Sequence, residues 1–159
     1  MSLSRQFNHN RKLDYPLDSR AIVFIDCRIQ NYERTVQRVS PQARAIILGS
    51  LSDGVRDITD ILTSSCCQEV HLICLGSPGC LYLGDSELNL GTLDRYSLRL
   101  QNWFENVASS CNPILPQLSL YGSNVASGDV GEEFITKLGQ IIKAKITASV
   151  SLNSSYVLD

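Results

Sequence analysis

The run Ala21-Ile-Val-Phe-Ile-Asp26 limits the possible folds of this chain more than any other segment. It is too short for a stable helix and rich in β-branched residues, so it reads as a strand buried on both faces. Strands of that kind belong to parallel sheets covered by helices on each side. Four more segments fit the same sheet: Ala45-Ile-Ile-Leu48, Val70-His-Leu-Ile-Cys-Leu75, Leu118 to Tyr121, and Lys145 to Val150. The third is stopped by Gly76-Ser-Pro-Gly79 and the fourth by Gly122.

Helical spacing fills the intervals. Ile29, Tyr32, Val36 and Val39 form one apolar stripe before Pro41, and Val55, Ile58 and Leu62 form another behind a cap at Ser52 or Asp53. From Thr92, the residues Leu93, Tyr96, Leu100, Trp103, Phe104 and Val107 predict a single amphipathic helix. Asp129 with Glu132 resembles a capping box ahead of Phe134, Ile135, Leu138, Ile141 and Ile142. Leu81 and Leu83 alternate before Gly84, which predicts a short strand or hairpin arm. The expected fold class is α/β, a mainly parallel sheet with helices on both faces and right-handed crossovers.

The 159 residues suit one domain, with residues 1–19 as a flexible arm and 20–159 as the folded unit. Hydrophobic residues at 43% and charged residues at 19% give a globular composition. A formal charge of −2 offers no electrostatic reason to bind nucleic acid. No apolar run approaches the roughly 18–20 residues of a membrane span. The polar stretch Met1 to Asp18 lacks the apolar core of a secretory signal. A cytoplasmic location is therefore expected, with leaderless export left open. The six cysteines (Cys27, Cys66, Cys67, Cys74, Cys80 and Cys111) contain no C-x-x-C pair, and His9 and His71 are the only histidines. Free thiols, no metal and no cofactor are expected.

In sheets of this class, ligands and chemistry gather at the carboxyl ends of the strands. That rule selects Asp26, Gly49, Leu75 with Gly76, and Gly122 with Ser123 and Asn124. Ser123 does not sit in a G-x-S-x-G elbow, and Gly76-Ser-Pro-Gly79 lacks the Gly-Lys of a phosphate loop. Cys74 precedes Leu75 and, in a strand, points to the opposite face, which makes it a core residue before it is a nucleophile. Asp26 is read first as a bonding partner for loop amides and second as a ligand-facing carboxylate.

These strand-end segments resemble the bacterial domain of unknown function 4347, a family often found near the start of very large adhesin-like or repeat-containing cyanobacterial proteins. The resemblance runs from Ala21-Ile-Val-Phe-Ile-Asp26 through Asp53-Gly54-Val55, His71-Leu-Ile-Cys-Leu-Gly-Ser-Pro-Gly79, Leu93-Asp-Arg-Tyr96 and Leu120-Tyr-Gly-Ser-Asn-Val-Ala126 to Ala148-Ser149. It implies a three-layer caspase-like fold of the caspase and gingipain superfamily. In that superfamily a His-Gly follows one strand, and a cysteine preceded by glycine ends the next parallel strand. Here Cys74-Leu75-Gly76 stands where the family pattern is Ser-His-Gly, and Tyr121-Gly122-Ser123 where it is Tyr-Gly-Cys. The family pattern continues past Asp159, which implies a piece of something longer.

A cysteine dyad works because an imidazole converts a weakly acidic thiol into a thiolate. Leu75 can neither accept a proton nor orient water, and a serine hydroxyl is a far weaker acid than a thiol. His71 is a poor substitute, roughly 13 Å from the strand end at about 3.3 Å per residue. The expected function is a catalytically inactive pseudopeptidase domain that binds a protein or peptide partner or serves as a structural module. Two alternatives stay open: a divergent hydrolase using Ser123, Asp26 or Cys74, and a small-molecule binder at the strand-end cleft.

Overall fold

A computed structural model of the chain describes residues 21–108, 115–121 and 124–149. The proposed arm at residues 1–19, Cys111, Gly122 and Ser123 lie outside the described residues.

The core is a five-stranded, all-parallel sheet in the order β2-β1-β3-β7-β8. Its strands are β1 (Ala21–Asp26), β2 (Arg44–Leu48), β3 (Glu69–Ile73), β7 (Gln117–Tyr121) and β8 (Lys145–Ser149). The helices are α1 (Tyr32–Arg38), α2 (Gly54–Thr63), α3 (Leu93–Gln101), α4 (Glu105–Ala108) and α5 (Gly128–Ile142). A second, three-stranded antiparallel sheet, β4 (Leu75–Ser77), β5 (Cys80–Leu83) and β6 (Ser86–Asn89), is inserted between β3 and α3.

Alternation along β1 divides the core into two layers. Ile22 and Phe24 pack with Val55, Ile58, Leu62, Leu100, Trp103, Phe134 and Leu138, which places α2, α3 and α5 on one face. Val23 and Ile25 join Ile29 and Ile73, with Tyr32 and Val36 of α1 against them on the other face. β2 and β3 flank β1 on opposite sides, so crossovers of one hand must put α1 and α2 on opposite faces. The expected three-layer α/β architecture is present.

Several local expectations need correction. The third strand ends at Ile73, not Leu75, and Leu75 opens β4 of the small sheet. Gly76 and Ser77 are therefore strand residues, and the turn is confined to Pro78-Gly79. The hairpin partner β6 carried too few apolar residues, in Ser-Glu-Leu-Asn, to register as a strand in the sequence. The helix read from Thr92 to Val107 breaks after Gln101, and Trp103 and Phe104 sit in the break before α4. Both rings are buried, so the stripe belongs to the core although the backbone is interrupted. Asp129 does not cap α5; Ser127 holds that position without a side-chain cap bond, and Asp129 lies in the first turn, where its charge favours the helix dipole. Of the two candidate caps for α2, Asp53 serves, accepting the Arg56 amide at 3.1 Å.

Candidate functional site at the carboxyl ends of the strands

Asp26 terminates β1 and is wholly buried. Its Oδ1 accepts from the Arg28 backbone amide at 2.9 Å and from Arg28 Nε at 3.0 Å. Its Oδ2 accepts from Arg28 Nη2 at 2.9 Å and from the Gly84 amide at 2.9 Å. Burial alone would raise the Asp26 pKa, but the Arg28 and Gly84 bonds outweigh it and hold the carboxyl below its ordinary value. Four donors occupy two oxygens. The carboxylate is a clasp between strand end and hairpin, and it has no lone pair directed at a ligand.

Gly84 is the other half of the clasp. Its φ of 59° is left-handed, and a Cβ there would collide with the carbonyl oxygen of Ser52. Asp53 bridges to Gly84 through the backbone and accepts from Ser86 Oγ at 2.6 Å. Hydrogen bonds thus fix the small sheet to the loop after β2 and to the end of β1. Its first turn is fixed as well, since the Gly79 amide donates to the Val125 carbonyl at 2.8 Å.

Leu75 is 41% exposed, an uncommon state for a leucine that follows a central strand by only two residues. Cys74 beside it is buried and faces the large core cluster, so the two side chains point apart as expected. Burial pushes the Cys74 thiol up to about 12, with the Asp26 charge adding to the effect. A thiol of that kind is protonated at neutral pH and closed to solvent, which opposes a role as nucleophile. Gly76 is half-buried in β4, and Asn124 is exposed, its carbonyl accepting the Ser127 amide at 3.0 Å.

Ile73 of β3 is the register partner of Tyr121 of β7. Leu75 follows Ile73 by two residues and has already turned into β4, where it pairs with Tyr82; Ser123, two residues after Tyr121 in the sequence, lies outside the described residues. His71 does not serve that end of the sheet. It is buried in mid-strand, and its Nδ1 lies 3.0 Å from the Tyr121 hydroxyl. Arg28 and Gly84, which complete the Asp26 clasp, were not selected from the sequence. A local signal existed in the Asp26-Cys27-Arg28 spacing, whereas Gly84 lies 58 residues away and had none.

Among the described residues, no group of three metal-ligating side chains converges, and no helix is long and apolar enough to cross a membrane. The family model described as a domain of unknown function (DUF4347) matches residues 22–156. No curated protein gives a significant match to the chain.

Proposed function

The chain belongs to the family described as a domain of unknown function (DUF4347), and on that premise we propose a catalytically silent, caspase-like domain that offers its strand-end surface to a protein or peptide partner. The observation that carries this reading is Leu75: an exposed, apolar, proton-inert side chain two residues past the end of β3. An imidazole there would have a chemical task, whereas an exposed leucine favours contact with another apolar group. Two further facts support the reading. Asp26 is consumed by Arg28 and Gly84, and Cys74 is sealed in the core, so neither is free to replace the lost dyad. The β3 and β7 register supports treating positions 75 and 123 as a former pair.

The test has two parts. The protein should show no peptide turnover and no selective labelling by a fluorophosphonate or iodoacetamide at neutral pH. A displayed peptide library should then yield binders that lose at least about tenfold in affinity to Leu75→Asp, a change of about 1.4 kcal/mol. Turnover with labelling of Ser123 would replace the silent module with a divergent hydrolase. Binders indifferent to Leu75→Asp would move the contact surface elsewhere.

A further inference from the structure

The small antiparallel sheet sorts its side chains by register. Gly76, Leu81 and Leu88 form one cross-strand row, and both leucines of that row are wholly buried in the core. Alternation turns the rows on either side of it to the opposite face. One of these is Leu75 on β4, Tyr82 on β5 and Glu87 on β6. The other is Ser77, Cys80 and Asn89.

The two rows differ in what they offer a partner. In the second, Cys80 is buried, and Asn89 Oδ1 already accepts the amides of Gly91 at 2.9 Å and Thr92 at 3.1 Å. In the first, Leu75 and Glu87 are exposed and Tyr82 is half-buried. Among the described residues, no hydrogen bond or ion pair engages the Tyr82 hydroxyl or the Glu87 carboxylate. The backbone beneath them is fixed. Thr92 Oγ1 donates to the Glu87 carbonyl at 2.9 Å, and the amides of Gly79 and Gly84 hold the two hairpin turns to Val125 and Asp26. A partner would therefore meet a surface that needs little ordering on binding.

Neighbouring strands lie about 4.8 Å apart, so the row runs about 10 Å from leucine to carboxylate, with an aromatic ring between them. A cation lying over a tyrosine ring and beside a carboxylate gains from both. Arginine suits such a site better than lysine, because its planar guanidinium stacks on the ring and forks to the carboxylate. In an extended peptide, residues i and i+2 share a face and lie about 7 Å apart, and the length of an arginine side chain covers the rest. Building on the partner surface proposed at Leu75, we infer that Leu75, Tyr82 and Glu87 bind an extended peptide carrying an arginine two residues from a large apolar side chain. The apolar side chain packs on Leu75, and the guanidinium crosses Tyr82 to reach Glu87.

Selection of a displayed library of linear peptides on the whole protein tests this. The binders should carry an arginine two residues from a large apolar residue. Glu87→Gln, at an exposed position, should weaken them about fivefold or more, and Tyr82→Leu by a similar factor. Replacing the peptide's arginine with neutral citrulline should weaken binding to the parent protein and cost little further in Glu87→Gln, since the pair is already broken. Binders that depend on Leu75 but lack a basic residue, or that are unmoved by both Glu87→Gln and Tyr82→Leu, would overturn this inference and leave the apolar surface standing. Binders indifferent to Leu75→Asp, or a library without binders, would remove the partner surface and this inference with it.

Discussion

The carboxylate of Asp26 accepts the amide of Gly84 at 2.9 Å, across 58 residues of sequence. This bond ties the end of the inner strand β1 to the β5–β6 turn and holds the antiparallel sheet beside the strand ends. The same carboxylate grips Arg28 through Nε and Nη2. Asp26→Ala would leave the Gly84 amide and the Arg28 head without their acceptor. Arg28 is a third exposed, so water recovers part of the loss. A cost of about 2–4 kcal/mol in urea unfolding is expected, with Asp26→Asn retaining part of it. A loss below about 1 kcal/mol would show that the clasp is incidental.

Gly84 and Gly128 both adopt left-handed backbone, at φ of 59° and 68°. Their surroundings differ. A Cβ at Gly84 meets the Ser52 carbonyl, while a Cβ at Gly128 has no heavy atom within 4 Å. Gly128→Ala should therefore cost about 1 kcal/mol from backbone strain alone. Gly84→Ala should cost several times more, because the loop after β2 must move. Equal shifts in melting temperature would contradict the packing argument.

Trp103 Nε1 donates to Thr59 Oγ1 at 2.9 Å, joining the break after α3 to α2 inside the core. Thr59→Val keeps the shape but leaves the indole N–H buried and unpaired. Destabilisation of about 1–3 kcal/mol is expected. In a Trp103→Phe background the same change should cost much less, since the donor is gone. A double-mutant cycle with no coupling would refute this assignment.

Stability should fall with acid in two windows. Burial depresses the His71 pKa below its ordinary 6.5, so the unfolded chain binds that proton more readily. The contribution is complete above about pH 6.5 and shrinks as pH drops below it, at no more than about 1.4 kcal/mol per pH unit. Asp26 behaves similarly lower down: despite the opposing effect of burial, its depressed pKa stabilises the fold above the ordinary 3.8 and less as pH falls through it. His71→Gln should flatten the upper window and leave the lower one. A stability curve for this variant that still slopes below pH 6.5 like the parent would assign the window to another group.

A thiol test addresses the proposed pairing of positions 75 and 123 directly. The position-123 thiol of Ser123→Cys should alkylate at lower pH when Leu75→His is also present, by about one unit or more, because activation belongs to the pair. Mass spectrometry separates that thiol from the six native cysteines. Identical alkylation profiles would mean that positions 75 and 123 do not face one another.

The sequence by itself determined the elements that carry their own periodicity. β1 was legible because Ala21 to Ile25 is apolar at successive positions, and α2 because Val55, Ile58 and Leu62 repeat at helical spacing behind Asp53. The stripe through Trp103 and Phe104 was legible as core, but the helix break inside it was not, since Thr59 supplies the bond that anchors the indole from another element. Periodicity is also silent on strand termini. The third strand was read through Leu75, and only pairing with Tyr82 transfers that residue to the small sheet. Of the site, Asp26 was found by rule at the end of β1 and Leu75 within two residues of the end of β3, because in parallel sheets ligands gather at the carboxyl ends of the strands. What Asp26 does there was decided by tertiary structure alone: Gly84 reaches it only after the hairpin folds back. The link from His71 to Tyr121 was likewise invisible, because the pairing of two strands 50 residues apart follows from sheet order and not from local spacing.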